Sequence, residues 1–107
     1  MENTLARTKD FYDYVTELTC WIKEEGKEFP YTERLLECGR GIYGALCVAL
    51  SAPDNSKDCY AVAYRQAEEF CRLMGLMVNT GVLTEIQSRP LLSECMFIKE
   101  EVDRLQK

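Results

Sequence analysis

Between Tyr60 and Met77 the residues Tyr60, Ala63, Ala67, Phe70, Met74 and Met77 recur at steps of three, four, three, four and three. That alternation describes one stripe of an α-helix and excludes a strand, because side chains three and four apart share a helix face whereas a strand repeats every second residue. A seam of this heptad-like kind must be covered by other helices. The chain supplies them. From about Leu5 to Glu25, Phe11, Val15, Leu18 and Ile22 step by four, three and four. Near the other end Leu91, Cys95, Ile98, Val102 and Leu105 do the same, while Glu94, Lys99, Glu100, Glu101 and Arg104 fall off that seam.

The segment from about Glu33 to Ser51 is different in kind, because it carries two apolar stripes. Leu35, Ile42, Leu46 and Ala49 make one, and Leu36, Tyr43, Cys47 and Leu50 make the other, rotated by one residue. No charge interrupts residues 41–52. A helix that is apolar around most of its circumference has to be covered on most sides. In a four-helix bundle each helix keeps an outward face, so the second stripe is expected to meet either a long side chain from a neighbouring helix or another subunit, the subunit being favoured. Gly39, Gly41 and Gly44 each cost this helix about 1 kcal/mol relative to alanine, which points to close helix approach, the alternative being a kinked or irregular helix. Leu36, Tyr43, Gly44, Cys47 and Leu50 are therefore the expected oligomer interface.

Breaks between the periodic segments are short. The first helix is expected to stop at Gly26 and Phe29-Pro30, since proline disfavours helical geometry in the residue before it, and Thr32 is placed to cap the second. Ala52-Pro53-Asp54-Asn55-Ser56 has a turn composition, and Asn79-Thr80-Gly81 an ordinary helix stop. Thr84-Glu85-Ile86-Gln87 has the form of a capping box. Pro90 lies several residues into the helix which that box would start, so the helix either kinks there or begins afresh with Ser88 as its cap. Short turns make sequential helices antiparallel neighbours. The expected fold is all-α: one domain over residues 1–107, an up-down-up-down antiparallel four-helix bundle.

Composition narrows what such a bundle can do. Histidine is absent, which removes Ser-His-Asp and Cys-His nucleophilic arrangements and the Glu-x-x-His pairs of di-iron bundles. The six cysteines, Cys20, Cys38, Cys47, Cys59, Cys71 and Cys95, form no C-x-x-C pair, so no zinc spacing can be written and they read as small buried hydrophobes. The neighbouring acids Glu24-Glu25, Glu68-Glu69 and Glu100-Glu101 point about a hundred degrees apart on a helix and read as solvated faces. No catalytic residue, metal site, cofactor or small-molecule substrate is expected. The amino terminus, with Met1 followed by polar residues and then Arg7, Lys9 and Asp10, has no apolar leader, and no apolar run approaches the length of a membrane span. A cytoplasmic protein is expected.

A net charge of −5 and a pI near 4.8 weaken any nucleic-acid reading unless cations gather on one face. One such gathering is available. Asp58, Arg65, Arg72 and Asn79 are spaced by seven and fall opposite the apolar seam of the third helix, so Arg65 and Arg72 face outward together and could hold phosphate. Glu69 lies four residues after Arg65 and Glu68 four before Arg72, so local ion pairing accounts for them as well. Arg34 and Arg40 on the second helix have the same open status.

Phe29-Pro30, the run Arg40-Gly41-Ile42-Tyr43-Gly44-Ala45, Ala63, Ala67 and Glu69, and the turn Asn79-Thr80-Gly81-Val82-Leu83 together give the chain, from Phe29 to Leu105, a resemblance to a known group. It resembles the small four helix bundle family of proteins encoded in intervening sequences of 23S rRNA genes and of accessory variability proteins from diversity-generating retroelements. The resemblance implies a homopentameric ring of antiparallel bundles, and for the retroelement members a basic surface that binds a reverse transcriptase and its RNA. Two departures stand out. Where the family often reads Asn-Ile-Ala-Glu-Gly this chain has Val48-Ala49-Leu50-Ser51-Ala52, and its overall charge is acidic. The expectation is a non-catalytic, self-associating accessory protein serving a reverse transcriptase and RNA; the alternative is a protein-interaction scaffold with no nucleic-acid partner.

Overall fold

The computed structural model describes residues 2–27 and 29–106, apart from the side chains of Glu2 and Asn55; Met1, part of the amino-terminal stretch read above, lies outside them. Helix α1 runs Glu2–Glu24, α2 Thr32–Ser51, α3 Ser56–Asn79 and α4 Glu85–Gln106, with a short 3-10 turn at Pro53–Asn55. No strand occurs among the described residues. The helices pack α1 on α2, α2 on α3, α3 on α4 and α4 on α1, in an all-helical body of 44 × 21 × 20 Å. This is the up-down-up-down bundle expected of short turns. The α1–α4 seam is the most sparsely packed of the four.

The stops follow from backbone hydrogen bonding. Gly26 (φ 66°) and Gly81 (φ 80°) adopt the left-handed conformation in which glycine avoids a Cβ clash. After each, the next amide reaches back five residues, Lys27 to Ile22 at 3.1 Å and Val82 to Met77 at 2.9 Å, closing Schellman motifs on the otherwise orphaned carbonyls. At the start of α4, Gln87 N–H donates to Thr84 Oγ1 at 3.1 Å and Thr84 N–H to Gln87 Oε1 at 2.9 Å, so the capping box forms. One alternative is excluded and one expectation is corrected. Ser88 starts no new helix: α4 runs through Pro90, and the Ser88 hydroxyl donates to the Glu85 carbonyl at 2.8 Å. Thr32 is the first residue of α2 rather than its cap, and its hydroxyl donates backward to the Phe29 carbonyl at 2.8 Å.

The core is built from Phe11, Val15 and Ile22 of α1, the first stripe of α2, the seam of α3 from Ala63 onward (Tyr60 being half buried), and Cys95, Ile98 and Val102 of α4. Phe11 and Phe70 meet edge to face with ring centroids 4.9 Å apart. Leu18 and Leu91, members of the expected core stripes, are only half buried, and Leu105 is exposed. Buried Thr8 and Thr19 satisfy their hydroxyls on carbonyls of their own helix, Thr4 and Thr16. No buried side-chain polar atom among the described residues lacks a partner.

Candidate functional site

Helix α2 turns its first stripe fully inward, and Leu35, Ile42 and Leu46 are completely buried. The second stripe is left on the shoulder facing α1. Leu36, Tyr43 and Cys47 are half buried, Leu50 is 42% exposed, and Val48, farther around the helix, is 52% exposed. Tyr43 stacks on Tyr12 of α1 with centroids 6.3 Å apart, and a hydrogen bond with Cys47 raises its phenol pKa. One chain therefore covers this stripe in part only. Burying a valine or leucine completely is worth roughly 1.5–3 kcal/mol, and about half of that is still to be gained at Val48 and at Leu50.

The three glycines separate cleanly. A Cβ on Gly39 would meet Tyr12 Cδ1 at 3.2 Å and Val15 Cγ1 at 3.6 Å, and one on Gly41 would meet Gln66 Cγ at 3.2 Å. Close approach of α1 explains Gly39, and close approach of α3 explains Gly41. Gly44 is exposed, and a Cβ there would meet nothing within 4 Å. It lies between Tyr43, Cys47 and Val48, on an outer face without a charged residue after Arg40. Within one chain, its cost to the helix has no packing return.

The four arginines do not form one patch. Arg34 of α2 and Arg72 of α3 converge on Glu69, Arg34 Nε at 3.7 Å and Arg72 Nε at 3.1 Å, and the ion pair holds the Glu69 carboxyl below its usual range. Arg40 points to the opposite side of α2, where a hydrogen bond with Tyr12 raises its guanidinium pKa. Arg65 is exposed, with no ion pair among the described residues. Neither local pairing read from spacing forms. Glu69 serves Arg72 and Arg34 instead of Arg65, and Glu68 faces Lys99 of α4 at 3.7 Å. Two cations on one carboxylate, with Arg65 seven residues before Arg72, leave a local positive excess on the α2–α3 side.

The thiols also divide. Cys38 and Cys95 are buried, Cys47, Cys59 and Cys71 half buried, and Cys20 is exposed, so the expectation of six core cysteines fails at Cys20. Burial pushes the Cys38 thiol up to about 11. Cys71 lies 3.7 Å from Cys95, sulfur to sulfur, and a hydrogen bond from Cys95 brings it down to about 7. Cys95 is raised by that same bond and by burial; while Cys71 is protonated, the Cys95 thiol donates to the Ala67 carbonyl at 3.4 Å. Among the described residues no group of three metal-ligating side chains comes together. Among the described residues no helix is long and apolar enough to cross a membrane.

No family model and no curated protein matches the chain. A solved structure does. A protein of unknown function from the S23 ribosomal protein family of Bacteroides thetaiotaomicron superposes with a TM-score of 0.91 at 19% identity, covering 97% of this chain and 98% of that one. At that identity the likeness establishes a shared fold, over nearly the full length of both: this chain has the helical architecture of that S23-family protein.

Proposed function

We propose that this protein is a non-catalytic accessory module that assembles with itself through the outer face of α2, in a closed ring of bundles, five being the number the family resemblance implies. The observation that carries this reading is Gly44 with its surroundings: an open glycine flanked by half-buried Tyr43 and Cys47 and exposed Val48 and Leu50, where one chain supplies no neighbour. A second copy laid across that face gains apolar burial and the close approach that glycine permits. Light scattering across a dilution series tests it. Assembly that Val48→Lys with Leu50→Lys leaves untouched would remove this face from the role.

A second reading concerns the arginines. Repeated around a ring, the Arg34, Arg65 and Arg72 side of each copy would present phosphate-binding cations to the RNA of a reverse transcriptase complex, with Arg40 on the other flank. The positive excess around Glu69 favours it, and the net charge of −5 opposes it. RNA contact through these residues gives an affinity that falls steeply with salt. Arg65→Glu with Arg72→Glu abolishes co-purification of RNA or polymerase on this reading, whereas the pure scaffold predicts no change.

A further inference from the structure

The α1–α4 seam is open along most of its length. Toward the α4 amino terminus lies a trough of about 750 Å³, floored by Phe11, Leu18 and Leu91 and walled by Tyr14, Trp21 and Pro90. Toward the other end the groove continues in a second hollow of about 620 Å³ that shares Arg7 and Asp10 and runs past Phe97. One clasp crosses it. Arg7 donates to both carboxylate oxygens of Glu94, at 2.8 and 2.9 Å, and lies 3.5 Å above the Phe97 ring. On α1 the lining residues extend from Asn3 to Trp21, about 27 Å at the helical rise. Tyr14, 60% exposed, sits on the rim.

We propose that this groove is the docking site for one amphipathic helix of a partner protein whose polar flanks are basic. Shape argues for a helix, since the two hollows follow α1 for several turns and stay open to solvent on either side of the Arg7–Glu94 clasp, over which a helix would lie, whereas a small-molecule site encloses most of its ligand. Charge argues for basic flanks. Asp10 and Glu17, seven residues apart along the α1 lip, make no close ion pair among the described residues, Lys9 beside Asp10 being turned to Asp13, and with Arg7 and Glu94 paired they leave the groove lining two charges negative. Charge also argues against a second copy as occupant. In this chain α1 holds five acids to three bases and α4 five to three, α2 two to two and α3 three to three, so no helix carries a net positive charge, and the one local excess, at Arg34, Arg65 and Arg72, is spread over two packed helices rather than along both flanks of one apolar stripe. The site is separate from the outer face of α2 and does not depend on self-association there.

The sole tryptophan, Trp21, lies in the groove wall, so its emission reads occupancy in the intact chain. The probe is an 18-residue synthetic leucine–lysine peptide with leucines at helical spacing; a second peptide carries glutamate in place of lysine. The lysine peptide is expected to give a saturable one-to-one blue shift. Asp10→Lys with Glu17→Lys is expected to weaken it about tenfold or more and to take up the glutamate peptide instead. Asp54→Lys with Asp58→Lys, an equal charge change at the α2–α3 turn, is expected to bind as wild type. Should the first reversal not fold, Asp10→Asn with Glu17→Gln carries the comparison, and is expected to lose the preference for lysine over glutamate. The proposal is overturned by the absence of a saturable shift, by equal weakening in both reversals, by a neutralised lip that still prefers lysine, or by an emission shift produced by protein concentration alone, which would place a second copy in the groove.

Discussion

Gly44→Ala separates the needs of one chain from those of an assembly, because the two respond with opposite sign. In the isolated bundle the new methyl meets nothing within 4 Å. The helix gains about 1 kcal/mol from losing an interior glycine, which for a domain of this size raises Tm by roughly 4 °C or more. Across a packed interface the same methyl must push two backbones apart, a strain typically of about 1–3 kcal/mol, hence a dissociation constant weakened about tenfold. Thermal melts followed by circular dichroism at a dilution where the chain is monomeric read the first effect, since Tm otherwise tracks concentration through mass action. Light scattering over the dilution series reads the second. Gly75→Ala on α3, where a Cβ also meets nothing within 4 Å, is the control: it should stabilise equally and leave assembly alone. A Gly44→Ala chain that melts higher and dissociates at the wild-type midpoint would refute the reasoning.

Further outcomes follow from single contacts. Gly39→Ala should lower Tm despite better helix propensity, because Tyr12 Cδ1 at 3.2 Å and Val15 at 3.6 Å leave its methyl no room. Thr84→Ala should cost about 1 kcal/mol in denaturant titration by opening the capping box. The rate of Cys71 alkylation by iodoacetamide should rise with pH through a midpoint of about 7, and Cys95→Ala should move that midpoint toward the ordinary 9.0, as mapped by peptide mass spectrometry. In stability the sign is that of a depressed acid. The Cys71 contribution is complete above pH 9.0 and is lost as pH falls through about 7.

All four helices were legible because their apolar residues step by three and four, a period no other element shares, and because Gly26 and Gly81 sit where a left-handed residue ends a helix. Pro90 was ambiguous because spacing does not say which way its freed carbonyl faces. Ile86 and Pro90 both lie on the exposed side of α4, where water can satisfy the Ile86 carbonyl, and the helix continues. Arginine partners are not legible for a different reason: intrahelical spacing competes with neighbours on other helices, and Glu68 goes to Lys99 of α4 while Glu69 is shared between Arg72 of its own helix and Arg34 of α2. The surplus stripe of α2 was visible as a stripe, and the structure leaves it incompletely covered. The α1–α4 groove had no signature. Leu18 and Leu91 carry the same periodic signal as buried neighbours, and only the spacing between the two helices decides that they line a trough.

The mass of the wild-type chain in solution bears most directly on whether α2 is sheltered by other copies. Sedimentation equilibrium at micromolar concentration should return a multiple of 12.4 kDa, near 62 kDa for five copies (5 × 12.4), and Val48→Lys with Leu50→Lys should return 12.4 kDa with unchanged helicity. A wild-type protein that sediments as a single 12.4 kDa species throughout that range would contradict the account.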